Sequence, residues 1–150
     1  TFNLARMRHI GGSPIELGNL NATRDWGSAD NYALGMLKLL KSEQPEDIVF
    51  ATGILNSVRQ CLALASETVG FDPVFEGEGN NEVCYDQKTG KRIAVVSEKY
   101  FRPYDTEGLI GNPKKIENLL STKQKNELQK IVTTMVKADL KRVMEGRLDV

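Results

Sequence analysis

LGNLNATRDWGSADNY, Leu17 to Tyr32, sets an arginine, an acid and the only tryptophan side by side at Arg24-Asp25-Trp26, just ahead of an amphipathic segment. The stretch reads in two ways. It is a turn into a helix that Ser28 or Asp30 can cap, or it is the edge of an anion site. In the second case the Arg24 guanidinium and free helix N–H groups would hold a phosphate together.

Outward from this turn the chain alternates short strands with helices. Leu4, Met7 and Ile10 recur at helical spacing, and Gly11-Gly12-Ser13-Pro14 stops that helix. Ile15 to Leu17 reads as a short strand. After the RDWG turn a helix runs to about Ser42, with Tyr32, Met36, Leu39 and Leu40 on its inner face. Asp47 to Thr52, DIVFAT, is short and apolar enough for a buried strand. Asn56 or Ser57 then caps a helix through about Val69. Val74-Phe75 and Arg92 to Val96 are strand candidates separated by a polar loop. Asn112-Pro113 opens a short helix through Leu120. The clearest element comes last, where Leu128, Ile131, Val132, Met135, Val136, Leu140 and Val143 form one stripe. This alternation predicts an α/β or α+β arrangement, with α/β preferred, read as a single domain over residues 1–150.

Composition narrows the function. Lysine plus arginine equals aspartate plus glutamate at 20 each, so no excess charge steers the chain onto nucleic acid. No segment approaches the roughly 20 apolar residues of a membrane span. Cys61 and Cys84 fit neither a disulfide framework nor a metal-ligand spacing, which points to reduced thiols in an intracellular protein, expected in the cytoplasm with an organelle as the alternative. His9 is the only histidine, so a triad or a histidine-based metal site is not expected. Gly11-Gly12 lacks dinucleotide-loop spacing and follows a helix instead of a strand. No tyrosine is followed by lysine four residues later. Glu76, Glu78 and Glu82 read as solvated loop acids. No catalytic residue is therefore assigned. The chain begins at Thr1 without a methionine or a signal pattern, and a processed or partial chain is expected.

Three arginines remain. Arg24 precedes a helix start. Arg59 stands in a helix first turn, where the positive helix end disfavours a cation. Arg102 is flanked by aromatics in Tyr100-Phe101-Arg102-Pro103-Tyr104.

LGNLNATRDWG (17–27), EQPEDIVFATG followed by SVRQ (43–60), KYFRPYD (99–105), LIGNPKK (109–115) and MVKADL (135–140) together resemble the C-terminal part of GDP-mannose 4,6-dehydratase. They come in that family's order and at similar intervals. The resemblance implies the C-terminal, substrate-binding part of an extended short-chain dehydrogenase fold, built of short strands and several helices. In that family bound NADP oxidises the hexose, water is eliminated, and the hydride returns to the sugar. The NADP loop and catalytic groups lie in a region this chain does not contain. By resemblance, Arg24 and Arg102 would lie near the substrate diphosphate, Gly18 and Asn19 near the nucleoside, and Asp105 near a nucleoside hydroxyl. Asp105 replaces the family's usual glutamate, Asn31 and Asn112 replace acids, and Ser121-Thr122-Lys123 replaces a glycine-tryptophan pair.

The expected function is the nucleotide-sugar-binding portion of a dehydratase-like lyase, inactive alone. The expected partners are GDP-mannose, the missing cofactor-binding half or a partner chain, and further copies in an oligomer. The rival expectation is a non-catalytic remnant serving as a structural subunit of a larger assembly.

Overall fold

The Leu17–Tyr32 stretch divides between two compact units. The computed structural model describes residues 1–43, 46–102 and 108–148. One unit comprises residues 1–22, 57–105 and 129–150, and the other residues 23–56 and 106–128.

The first unit is built on a four-stranded sheet in the order β1-β6-β5-β4. Its strands are β1 (Ile15–Leu17), β4 (Pro73–Glu76), β5 (Val83–Asp86) and β6 (Arg92–Val96). β1 runs parallel to β6, with Ile15 opposite Ala94 and Leu17 opposite Val96, while β4, β5 and β6 form an antiparallel meander. Helices α1 (Phe2–Ile10), α3 (Val58–Thr68) and α5 (Leu128–Met144) supply the remaining apolar surface. Leu4, Met7, Leu62, Ile93, Val132, Val136 and Val143 are all buried. Ile10, the last residue of α1, is half exposed.

α3 starts where the cap residues predict. The Ser57 hydroxyl accepts the Gln60 amide at 3.1 Å, and the Gln60 side chain accepts the Ser57 amide at 2.7 Å. This reciprocal pair satisfies two donors that a helix start otherwise leaves orphaned.

β5 occupies what the sequence presents as polar loop. Cys84 and Asp86 both face inward from it, so an acid interrupts the apolar alternation that marks a strand. Asp86 is tolerated because the Thr89 hydroxyl and the Asp72 amide both donate to it, at 2.6 and 2.8 Å. Those bonds hold its carboxyl below the usual aspartate range. Burial pushes the neighbouring Cys84 thiol up to about 11, so it stays a neutral core group.

In the second unit β2 (Thr23–Asp25) pairs with β3 (Leu55–Ser57), and α2 (Ala29–Leu40) packs with α4 (Lys114–Leu120). DIVFAT is not a strand. Its Phe50 ring meets Tyr32 edge-on at 5.7 Å, and its Thr52 amide bonds a carboxylate in place of a neighbouring strand. The inner face of α2 also differs from expectation. Gly35 is the buried position, with Tyr32 and Leu39 half-buried, because the Phe50 ring fills the space beside Gly35. Met36 and Leu40 are instead 54% and 83% exposed. α4 begins one residue later than expected, with Pro113 at the cap position, the Asn112 side chain accepts the Lys114 amide at 3.1 Å, and Ile116 within that helix is fully buried.

Candidate functional site

Three of the five expected binding residues, Gly18, Asn19 and Arg102, are described residues of the first unit. The Leu17 carbonyl, at the end of β1, accepts the Ser97 amide at 2.8 Å, and the Ser97 carbonyl accepts the Tyr100 and Phe101 amides at 3.0 Å each. This folds the KYFR segment back onto the LGN segment. Gly18 then lies so close to the Tyr100 main chain that a Cβ on it would stand 2.4 Å from the Tyr100 carbonyl oxygen. Only glycine allows that approach. Gly18 and Asn19 are thereby brought beside the residue pair that immediately precedes Arg102, which is exposed. The Asn19 side-chain carbonyl accepts the Asn21 amide at 2.9 Å.

Arg24 belongs to the second unit, on β2, exposed, with its guanidinium donating to the Thr23 carbonyl at 2.7 Å. Asp105 lies outside the described residues. Trp26 is half-buried.

Two residues that were assigned no site role, Asp25 and Glu82, organise these segments. Asp25 accepts the Thr52 and Gly53 amides at 2.9 Å each, as well as the Thr52 hydroxyl. It therefore ties the RDWG turn to the ATG turn, where Gly53 takes a positive φ of 73° against Pro113. Glu82 is buried, not solvated, and both its oxygens receive the Arg59 guanidinium. The penalty of a cation in the first turn of α3 is thus offset by a buried carboxylate. Neither residue stands in a spacing that periodicity detects, and only Asp25 lies within one of the matched segments.

A groove of about 530 Å³ in the first unit runs past Arg6, Ser13, Glu16 and Tyr100, and one of about 620 Å³ in the second is lined by Lys114 to Lys123. Neither includes an expected site residue, so shape alone does not locate the site. Among the described residues no group of three His, Cys, Asp or Glu could hold a metal ion, and no helix is long and apolar enough to cross a membrane. These residues also do not fit an NADP pyrophosphate. Gly11 and Gly12 leave a helix and enter a strand, the reverse of a loop that presents a helix N-terminus to phosphate.

Comparison with known proteins agrees with this architecture. RMD from Pseudomonas aeruginosa, solved with NADPH, superposes with a TM-score of 0.70 at 12% identity, covering 94% of this chain and 41% of that one. The fold is therefore part of a short-chain dehydrogenase/reductase fold. A sequence profile described as GDP-mannose 4,6 dehydratase matches residues 3–135. The GDP-mannose 4,6 dehydratase 2 of Caenorhabditis elegans is 43% identical over 84% of this chain, and the GDP-mannose 4,6 dehydratase of Dictyostelium discoideum is 38% identical over 88%. The chain belongs to the GDP-mannose 4,6-dehydratase family. It spans 33% and 37% of the length of those two relatives.

Proposed function

We propose that this chain forms the nucleotide-sugar-binding part of a GDP-mannose 4,6-dehydratase-like protein. The observation that carries the reading is the close fit of Gly18 against the Tyr100 main chain, which juxtaposes the LGN and YFR segments. In this reading Asn19 meets the nucleoside, Arg24 and Arg102 meet the diphosphate, and Asp105 meets a nucleoside hydroxyl. A planar guanidinium suits a diphosphate because its forked donors match phosphate oxygens. NADP and the groups that perform oxidation and elimination belong to the remainder of the protein, so this chain contributes binding and no catalytic group.

Calorimetry of the protein with GDP and GDP-mannose tests this. Arg24→Ala and Arg102→Ala are each expected to weaken binding about 10- to 100-fold, the worth of one or two charge-assisted hydrogen bonds. Absence of binding by the unaltered protein overturns the reading. Absence of binding together with recovery in fixed stoichiometry with a larger assembly would mark a structural subunit instead.

The reading also requires association. Leu34, Met36, Leu37 and Leu40 expose apolar surface along α2, with Leu37 57% and Leu40 83% exposed. A contiguous patch of that kind marks an interaction surface on a soluble protein. Sedimentation at micromolar concentration is expected to show a complex with a partner or with further copies. A stable monomer counts against this.

A further inference from the structure

We propose that the Arg59–Glu82 pair is a positioning clamp that holds the Leu17–Ala22 loop, and with it Asn19, in a nucleotide-reading conformation. The proposal rests on the binding reading above and deepens it. The clamp lies wholly within the first unit. The Arg59 guanidinium engages both oxygens of Glu82, a side chain only 3% exposed, and its second nitrogen also donates to the Asn21 side-chain carbonyl at 2.8 Å. The same guanidinium lies over the Phe75 ring, 5.0 Å from its centre. Asn21 in turn donates its amide to the Asn19 side-chain carbonyl.

The backbone repeats this connection. The Arg59 amide donates to the Leu20 carbonyl and the Val58 amide to the Ala22 carbonyl, each at 2.9 Å. The loop is therefore fixed at both ends, by Tyr100 against Gly18 and by Arg59 against Leu20 and Asn21. A buried ion pair of this kind gives little net stability, because desolvation offsets attraction. Its geometry explains it better. A guanidinium can grip a carboxylate with two donors and still reach a third acceptor, which a lysine ammonium cannot do in one plane. The consequence falls on Asn19. With its carbonyl committed to Asn21, its NH₂ is the end left to meet a ligand, and it suits an acceptor on a nucleobase or a phosphate.

The test uses Arg59→Lys and Asn21→Ala, with Ala65→Gly in α3 as a control that destabilises the same helix without touching the loop. GDP affinity, thermal midpoint and amide exchange at Asn21 are measured for each. Arg59→Lys is expected to weaken GDP binding about tenfold, the usual size of coupling between a site and a residue outside it, and to speed exchange at Asn21. Asn21→Ala, an exposed position that does not threaten folding, is expected to weaken GDP in the same direction by less. Ala65→Gly is expected to lower the midpoint and leave affinity unchanged. Affinity lost equally in Ala65→Gly, or retained in both loop variants, overturns the clamp. If the unaltered protein binds no GDP, the functional reading fails on its own. Exchange then still judges the clamp, and unchanged protection of Asn21 in Arg59→Lys overturns it.

Discussion

Asp25→Ala is expected to destabilise the second unit by about 3 kcal/mol or more, because it removes an acceptor that charged hydrogen bonds make worth roughly 1.5–3 kcal/mol apiece. Three donors depend on that carboxylate: the Thr52 amide, the Thr52 hydroxyl and the Gly53 amide. Thr52 is only 4% exposed, so its amide would be left buried without a partner, and water cannot readily replace the lost oxygen. The damage would spread along the turn. Gly53 carries the positive φ that turns the chain there, and its Cα packs against the ring of Pro113 at the start of α4. Asp25→Asn should cost less, because one side-chain oxygen remains to accept while the other becomes a donor facing donors. Urea unfolding of both variants checks this. A loss below about 1 kcal/mol in Asp25→Ala, the worth of a single ordinary hydrogen bond, would mean that these bonds do not hold the turn.

Asp25 was visible in the RDWG turn but its task was not, and the reason is physical. Periodicity reports burial, so it locates α5, where Leu128, Val132, Val136 and Val143 are all buried at helical spacing. Cap chemistry is local, so it locates the start of α3 at Ser57. Both fail where a polar group performs a core task. Asp86 faces inward from β5 and breaks the alternation that would have revealed the strand. Glu82 lies among glycine and asparagine, which suggests solvent, yet it is the buried partner of Arg59. DIVFAT has strand composition, but Asp25 takes the amide of Thr52. Gly35 escapes an apolar count altogether, although the Phe50 ring makes it the buried position of α2.

The candidate site was legible in a different manner. No spacing along the chain links Gly18 to Tyr100. The order of the LGN, SVR and YFR segments carried only the expectation that Gly18, Asn19 and Arg102 serve one ligand, and the close approach of Gly18 to Tyr100 is what the fold adds. Arg59 was noticed for the wrong end of its story. The unfavourable helix position was visible, and the carboxylate that compensates was not.

Gly18→Ala is expected to combine a stability loss of about 1–3 kcal/mol, typical of forcing an extra carbon into a packed position, with a separate loss of GDP affinity. The added Cβ would stand 2.4 Å from the Tyr100 carbonyl oxygen and 3.1 Å from its carbon. Both are main-chain atoms, so no rotamer change relieves the clash. The segment they belong to is itself held, since Ser97 bonds back to Leu17 and accepts both the Tyr100 and Phe101 amides. One of two things must give: the end of β1 separates from β6, or the KYFR segment moves outward and carries Arg102 with it. Either motion separates Asn19 from Arg102, and binding that needs both falls about 100-fold, the worth of losing two positioned charged contacts. Paired measurement of unfolding and GDP calorimetry distinguishes this from simple destabilisation. A Gly18→Ala protein that is less stable yet binds GDP as tightly as the parent would show that the close approach serves packing alone. A protein that keeps its stability and loses GDP would instead place the nucleotide directly on the Gly18–Asn19 backbone.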